Sequence, residues 1–286
     1  MSDQDANQAG PETSPLGKTS VYATAYDPTL LFPISRIKAR ATLGLDSKHL
    51  PFVGSDHWIH YEVSWLNGKG KPMVALATLN YNCNSPNLIE SKSLKLYFNS
   101  INNTPFDSVS ALETTLKKDL EACVEAPVVV GIIPLSQLNQ HPLMALQSKF
   151  LGDSLDDLDV TCTHYTVEPG LLRTSPLIVQ ETLCSDLLKS NCLITHQPDW
   201  GSVQITYHGP KIDRERLLQY LVSYRHHNEF HEPCIERIFM DLIHHCTPHA
   251  LTVHGHYTRR GGLDINPYRT TTFSEQVPPL IRLVRQ

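Results

Sequence analysis

ESKSLKLYFNS, residues 90–100, opens with a carboxylate and two lysines in the manner of a helix start. It then runs into Leu96, Tyr97 and Phe98, side chains that prefer a pleated, half-buried surface, so the segment reads as a charged element start leading into a strand. The chain has only 24 Lys and Arg among 286 residues. Two of them beside Glu90 therefore ask for a reason. The ordinary one is a solvated face, and the stretch alone offers no other.

The neighbours of this stretch alternate strand and helix patterns. HWIHYEVSWLNGKGKPMVALATLNY, residues 57–81, reads as two strands joined by a turn at Asn67-Gly68-Lys69-Gly70. From Asp107 to Cys123 the residues Val109, Leu112, Leu116, Leu120 and Cys123 recur at helical spacing. APVVVGIIPL follows as a strand, and the stretch near 141–157 reads as a connection between halves. Beyond it, Val203, Ile205 and Tyr207 alternate as a strand. Ile235, Ile238, Phe239, Leu242 and Cys246 then mark a second amphipathic helix. Leu96, Ser100, Phe106 and Cys123 run down a strand, a loop and a helix, and Leu221, Ser223, Phe230 and Cys246 nearly repeat them. The pattern describes an internal duplication with an offset of about 124 residues. The polar residues of the two halves differ, which gives the halves different jobs.

Composition limits what those jobs are. A hydrophobic content of 41% and a charged content of 19% describe a soluble globular protein. A net charge of −5 argues against a broad nucleic-acid or anionic-membrane surface. No apolar run approaches the roughly 20 residues of a membrane span. Residues 1–20 are polar, lack a secretory core, and read as a disordered tail. Seven cysteines without a CxxC pair fit reduced thiols in the cytoplasm. The 15 histidines crowd towards the C-terminal half, yet no HExxH or CxxC…H pattern joins them, so no metal is expected. There is no GxGxxG after a strand either, so a bound nucleotide would be held by point charges.

The second half carries NCLITHQPDWGS, with Cys192 and Asp199 on either side of Pro198, then FHEPC, with Phe230, His231 and Glu232, and RRGG at 259–262. Each has a bland explanation when taken singly: a core cysteine, a turn-capping aspartate, an acidic helix start, a charged hairpin tip. Together with Glu90-Ser91-Lys92-Ser93-Leu94-Lys95-Leu96-Tyr97 they resemble one family, the NADPH-dependent nitrile reductases of queuosine biosynthesis (7-cyano-7-deazaguanine reductases). The carrying features are the ESK signature, Cys192 with Gln197-Pro198-Asp199, the Phe230-His231-Glu232 triplet and Arg260-Gly261-Gly262. The resemblance runs from about Tyr22 to Arg285 and is to the long form of the family. Only LFPISRIKARATLG departs somewhat from the family's usual run.

The resemblance implies an α+β tunnelling fold, in which antiparallel sheets carry helices on one face. Two tandem modules are expected, over 21–150 and 151–286, in a cytoplasmic homodimer that binds neither nucleic acid nor membrane directly. It implies reduction of the nitrile of 7-cyano-7-deazaguanine to the primary amine with two NADPH, through a covalent thioimide. Cys192 corresponds to the nucleophile, Asp199 to the acid and His231 to a helper in proton transfer. Glu90 and Glu232 correspond to the carboxylates that read the ring's N–H donors, and Phe230 to a cover for its face. Ser91, Lys92, Lys95, Arg260 and Gly261 correspond to cofactor contacts, with some ambiguity between Arg259 and Arg260. Two rivals share this frame. A zinc-dependent hydrolase of a pterin- or GTP-like ring would carry bound zinc, and a silent ring-binding module would bind without turnover.

Overall fold

The structure is a computed structural model that describes residues 13, 14, 17, 22–141, 143, 146–272 and 281–286. The tail expected over 1–20 therefore lies almost wholly outside the described residues, as does part of the connection near 141–157. The class is α+β: mostly antiparallel strands, with five α-helices among the described residues. Two compact units divide the chain. One holds Met1–Lys48, His57–His141 and Arg260–Leu263; the other holds His49–Asp56, Pro142–Arg259 and Asp264–Gln286.

The first unit is built from β1 (Pro33–Ser35), α1 (Arg36–Thr42), most of β2 (Val53–Leu66), β3 (Pro72–Asn82), β4 (Asn87–Ile89), α2 (Ser91–Ile101), α3 (Val109–Val124) and β5 (Val128–Pro134). Strand β3 lies between β2 and β5, while β1 pairs with β4. The β2–β3 turn forms because the Asn67 side-chain oxygen accepts the N–H groups of Lys69 and Lys71, and Gly70 takes φ +75°. On β3, Ala75, Ala77, Leu79 and Tyr81 are buried at every second position. Helix α3 buries Leu112, Leu116, Leu120 and Cys123 as its spacing predicts.

The first correction falls on α2. Leu96, Tyr97 and Phe98 are helical, not strand. Glu90 caps the helix by accepting the N–H groups of Lys92 and Ser93, and Leu94, Tyr97, Phe98 and Ile101 form one buried stripe. Burying each of those large side chains stabilises by about 1.5–3 kcal/mol, more than the β preference of two aromatics, which spans about 1 kcal/mol. On the outer edge of β5, the N–H groups of Val128 and Ile132 donate to the α3 carboxylates Glu121 and Glu113.

The second unit contains β6 (Leu146–Gln147), β7 (Asp153–Ser154), β8 (Thr174–Asn191), β9 (Pro198–Ile212), α4 (Arg214–Val222), α5 (His231–Cys246), β10 (Ala250–Tyr257), most of β11 (Leu263–Thr270) and β12 (Arg282–Leu283). The strands run in the order β11-β10-β9-β8-β7, and β12 pairs with β6. Val203, Ile205 and Tyr207 are the buried face of β9, and Ile235, Ile238, Phe239, Leu242 and Cys246 that of α5.

Local detail recurs between the units. In the first, Tyr97 donates its hydroxyl to Asp119 at 2.6 Å, Ser100 donates to Tyr97 O, and Asp27 N–H donates to Ser100 Oγ. In the second, Tyr220 donates to Asp241 at 2.6 Å, Ser223 to Tyr220 O, and Glu168 N–H to Ser223 Oγ. Asp27 and Glu168 each cap a short 3-10 turn that opens with proline. Both long helices, α3 and α5, stop at a left-handed residue, Glu125 and Thr247 respectively. Tyr97 and Ser100 are thus helical counterparts of Tyr220 and Ser223, so Leu96 belongs to a helix, not a strand, and is matched by Gln219 and not by Leu221.

Arg269 of β11 is 0% exposed in the second unit. Its guanidinium lies 2.8 Å from Asp56 and 2.9 Å from Glu236 of α5, and it also donates to the carbonyls of Ser55 and Tyr268. Removing one partner of such a pair leaves the others as uncompensated buried charge. Arg269→Met is accordingly expected to lower stability by about 3–5 kcal/mol in chemical denaturation. A loss under about 1 kcal/mol would contradict the assignment.

Candidate active site

In the second unit the β8–β9 hairpin ends in a six-residue loop, Cys192–Gln197. Its stem pairs Ser190 with Asp199 and Asn191 with Pro198. The loop closes on itself: Cys192 N–H donates to Gln197 O at 2.9 Å, and His196 N–H donates to Cys192 O at 3.0 Å. His196 takes φ +55°, a left-handed conformation in which histidine is among the enriched side chains. Cys192 is 2% exposed and Asp199 5% exposed.

Phe230 is the N-cap of α5, so His231 and Glu232 stand in its first turn, where the helix dipole favours a carboxylate. His231 Nε2 is 3.7 Å from Asp199 Oδ1, and the imidazole packs edge-on against Tyr257 with ring centroids 4.1 Å apart. Burial, reinforced by the nearby Cys234 and Asp199, holds the Tyr257 phenol well above its ordinary range, so this ring remains neutral. Glu232 is buried. One unit thereby gathers Cys192, Asp199, Phe230, His231 and Glu232. Four other cysteines are poor nucleophiles, because burial raises the thiols of Cys123, Cys234 and Cys246 to about 12 and also raises that of Cys184.

The first unit gathers the remaining expected residues. Glu90 is 0% exposed, with Oε1 and Oε2 each accepting a backbone N–H at 2.7 and 2.8 Å. Burial raises its pKa, and the backbone hydrogen bonds from Lys92 and Ser93 oppose that rise. Ser91, Lys92 and Lys95 follow in the first turns of α2. Cations are disfavoured there by the positive end of the dipole, so the placement is no device for helix stability. Lys95 Nζ meets Glu62 at 3.2 Å in a partly exposed pair, which is a weak tie for an ammonium.

The Arg260–Leu263 turn lies alongside. Arg260 and Leu263 bridge, Gly261 and Gly262 take φ +62° and +79°, and Gly262 O accepts from Tyr61 N–H at 2.8 Å. A Cβ at Gly261 would stand 3.3 Å from Lys95, and one at Gly262 2.6 Å from Glu62. The left-handed φ at both positions favours glycine here, and the absence of a Cβ lets Lys95 and Glu62 lie close to the turn. Two lysines, Arg260 and a close glycine backbone suit a phosphate-bearing cofactor held by point charges. Arg259, by contrast, belongs to the second unit and donates to Gln286 O at 3.2 Å.

Sequence reasoning missed His60, Glu62 and Tyr257, which position the expected residues. Their only signal was membership of a strand. Among the described residues, no group of three or more His, Cys, Asp and Glu is arranged to hold a metal.

Comparison with known proteins defines the class as a nitrile-reducing oxidoreductase. The family described as nitrile reductase, 7-cyano-7-deazaguanine-reductase N-term, matches residues 22–132, and the QueF-like protein family matches residues 198–276. A relative from Legionella pneumophila (strain Corby) is 54% identical over 96% of this chain and 95% of its own length. Relatives from Dechloromonas aromatica (54%, covering 90% of each chain) and Albidiferax ferrireducens (51%, covering 96% of this chain and 99% of its own) are similar. Each is named NADPH-dependent 7-cyano-7-deazaguanine reductase. The chain belongs to this family.

His60 makes the glycine turn sensitive to acid. Its Nδ1–H donates to Gly262 O at 3.0 Å, its Nε2 is buried without a hydrogen-bond partner among the described residues, and its ring packs 4.4 Å from Phe98. Burial lowers its pKa to about 4. Between 6.5 and 4 the unfolded chain binds a proton that the folded chain refuses, so stability is complete above this window and is lost as pH falls through it. His60→Gln should abolish about 2 kcal/mol of the wild-type loss between pH 7 and 5. Equal acid sensitivity in denaturation of the two proteins would refute this.

Proposed function

We propose that the chain reduces the nitrile of 7-cyano-7-deazaguanine to the primary amine of 7-aminomethyl-7-deazaguanine, consuming two NADPH. What supports this most directly is the hairpin end of the second unit, where a buried cysteine and a buried aspartate flank one tight loop and His231 stands 3.7 Å from the aspartate.

A nitrile carbon accepts hydride poorly. Addition of the Cys192 thiolate to that carbon, with a proton delivered to nitrogen by Asp199, gives a thioimide that accepts hydride more readily. NADPH supplies the hydride. After the first addition the carbon–sulfur bond breaks, thiolate is released and an imine remains. A second hydride and a proton complete the amine, so two hydrides and two protons balance the reaction. His231 steadies the proton at Asp199. Shielding the imine from water matters, because hydrolysis would divert it to an aldehyde. Glu232 and Glu90 accept the ring's N–H donors, for which carboxylates are well suited, and Phe230 covers the ring face. Lys92, Lys95 and Arg260 meet cofactor phosphate, with Ser91 and Gly261 contributing close contacts.

In this scheme one proton passes from the sulfur of Cys192 to the carboxylate of Asp199 and on to the substrate nitrogen, so the pair works as a unit. Each half of the chain is a tunnelling-fold module, over 21–150 and 151–286. The recurrent Tyr–Asp and Ser–Tyr hydrogen bonds support this. The working form is a cytoplasmic homodimer that engages neither nucleic acid nor membrane. Its seven free cysteines suit a reducing compartment, and no described helix is long and apolar enough to cross a membrane.

The direct test follows NADPH absorbance with 7-cyano-7-deazaguanine and identifies the product by mass. About two NADPH per amine are expected with the wild type and none with Cys192→Ala; no consumption by the wild type would end the proposal. The shared proton has its own check. Alkylation of Cys192 should change in rate in Asp199→Asn, and an unchanged rate would count against sharing.

A further inference from the structure

We propose that Lys189 and Asn191 form a clasp that positions the sulfur of Cys192 relative to the start of α5. This rests on the assignment of Cys192 as nucleophile. Asn191 immediately precedes Cys192, and its polar groups are spent on one facing segment. Its N–H donates to His227 O at 2.8 Å, and its carbonyl accepts Glu229 N–H at 3.0 Å. Its side-chain Nδ2 donates to Arg225 O at 3.4 Å and to His227 O at 3.3 Å. Lys189 closes the arrangement. Its Nζ donates to Asn191 Oδ1 at 2.5 Å and to Arg225 O at 2.6 Å.

The facing segment is itself fixed. Glu229 accepts from His227 at 2.7 Å and from two nitrogens of Arg237 at 3.0 and 2.9 Å. The Arg225 guanidinium lies 5.9 Å from the ring centre of Trp200, the residue paired with Lys189 across the hairpin. Both arms of the hairpin are therefore stitched to residues 225–229, and the chain then passes directly into Phe230, His231 and Glu232.

The clasp has no substitute within the loop. The Cys192 backbone bonds to Gln197 and His196, both in the loop, and these bonds hold its shape without aiming it at anything. Aim comes from the stem, and Asn191 is the stem residue one peptide away from the nucleophile. A shift there passes almost undiminished to Sγ, and a misplacement of about 1 Å at a reacting atom costs about 100-fold in rate. Neutral carbonyl and amide oxygens accept both hydrogen bonds of the ammonium, whose charge also acts on Asp199.

Neither Lys189 nor Asn191 touches the reacting atoms in this scheme, so both are positioning residues, and the test must separate aim from general support. Full-length wild type, Lys189→Met, Asn191→Ala and Lys189→Arg are mixed with 7-cyano-7-deazaguanine without NADPH, and the covalent adduct is followed by mass against time. Substrate affinity is measured separately, with each change placed in the Cys192→Ala background. The expected result is adduct formation slowed about 10- to 100-fold in Lys189→Met and Asn191→Ala. Affinity should change less than about threefold, and Lys189→Arg, which keeps two donors, should recover most of the rate. Adduct formation at the wild-type rate in folded Lys189→Met overturns the clasp, and so does a parallel fall in rate and affinity. Lys189 is partly exposed, so Lys189→Met is the variant expected to fold should Asn191→Ala fail to, and circular dichroism of each variant checks this. Absence of any adduct in the folded wild type is a different failure: it removes the nucleophile assignment, and the clasp falls with it.

Discussion

A buried guanidinium sets the terms for the second unit. Arg269 is sealed from water, and an isolated charge in that position would not be tolerated, so Asp56 and Glu236 must both come to it. The demand on Glu236 fixes how α5 is turned about its own axis. Glu232 lies one turn earlier, at the i,i+4 spacing that places two residues on one helix face, and His231 is its neighbour. An ion pair remote from the hairpin loop thereby decides where the first turn of α5 presents its acid and its imidazole.

The second organising feature is repetition with reassignment. Each unit anchors a tyrosine to an aspartate on its long helix, and each ties a serine back to that tyrosine's carbonyl. The scaffold is thus kept twice while the surrounding polar residues diverge. Glu90 and the lysines sit at one helix start, and His231 and Glu232 at the start of another. In both cases the helix N-terminus is the stage, because its free N–H groups and dipole accommodate carboxylates.

Much of this was legible in the sequence, for identifiable reasons. Helices α3 and α5 have regular apolar spacing and clean stops, and the Asn67–Gly70 turn has chemistry that permits few alternatives. Helix α2 was misread because Tyr97 and Phe98 carry β preference, which masked the helical spacing of Leu94, Tyr97, Phe98 and Ile101, and because Glu90 caps it through backbone N–H groups that leave no pattern. Strand β8 went unread because its outer part is exposed and two register shifts break its alternation. At the site, single motifs had bland explanations, and only their conjunction across the chain pointed to chemistry. The supporting residues His60, Lys189 and Asn191 were invisible for a common reason: they bind backbone carbonyls, and any sequence supplies those.

The edge of β5 carries a consequence for solubility. Among the described residues this strand ends its sheet order, and it exposes Val129 beside the β-branched run that precedes Gly131. Such an edge is a template for another chain's strand, during synthesis or at high concentration. Glu113 and Glu121 occupy two of its outward N–H groups, so an incoming strand must displace charged acceptors before its own carbonyls can pair. On the helix surface these two glutamates look freely exchangeable. Their loss would register in how much of the protein stays out of aggregates, beyond whatever the two hydrogen bonds add to stability.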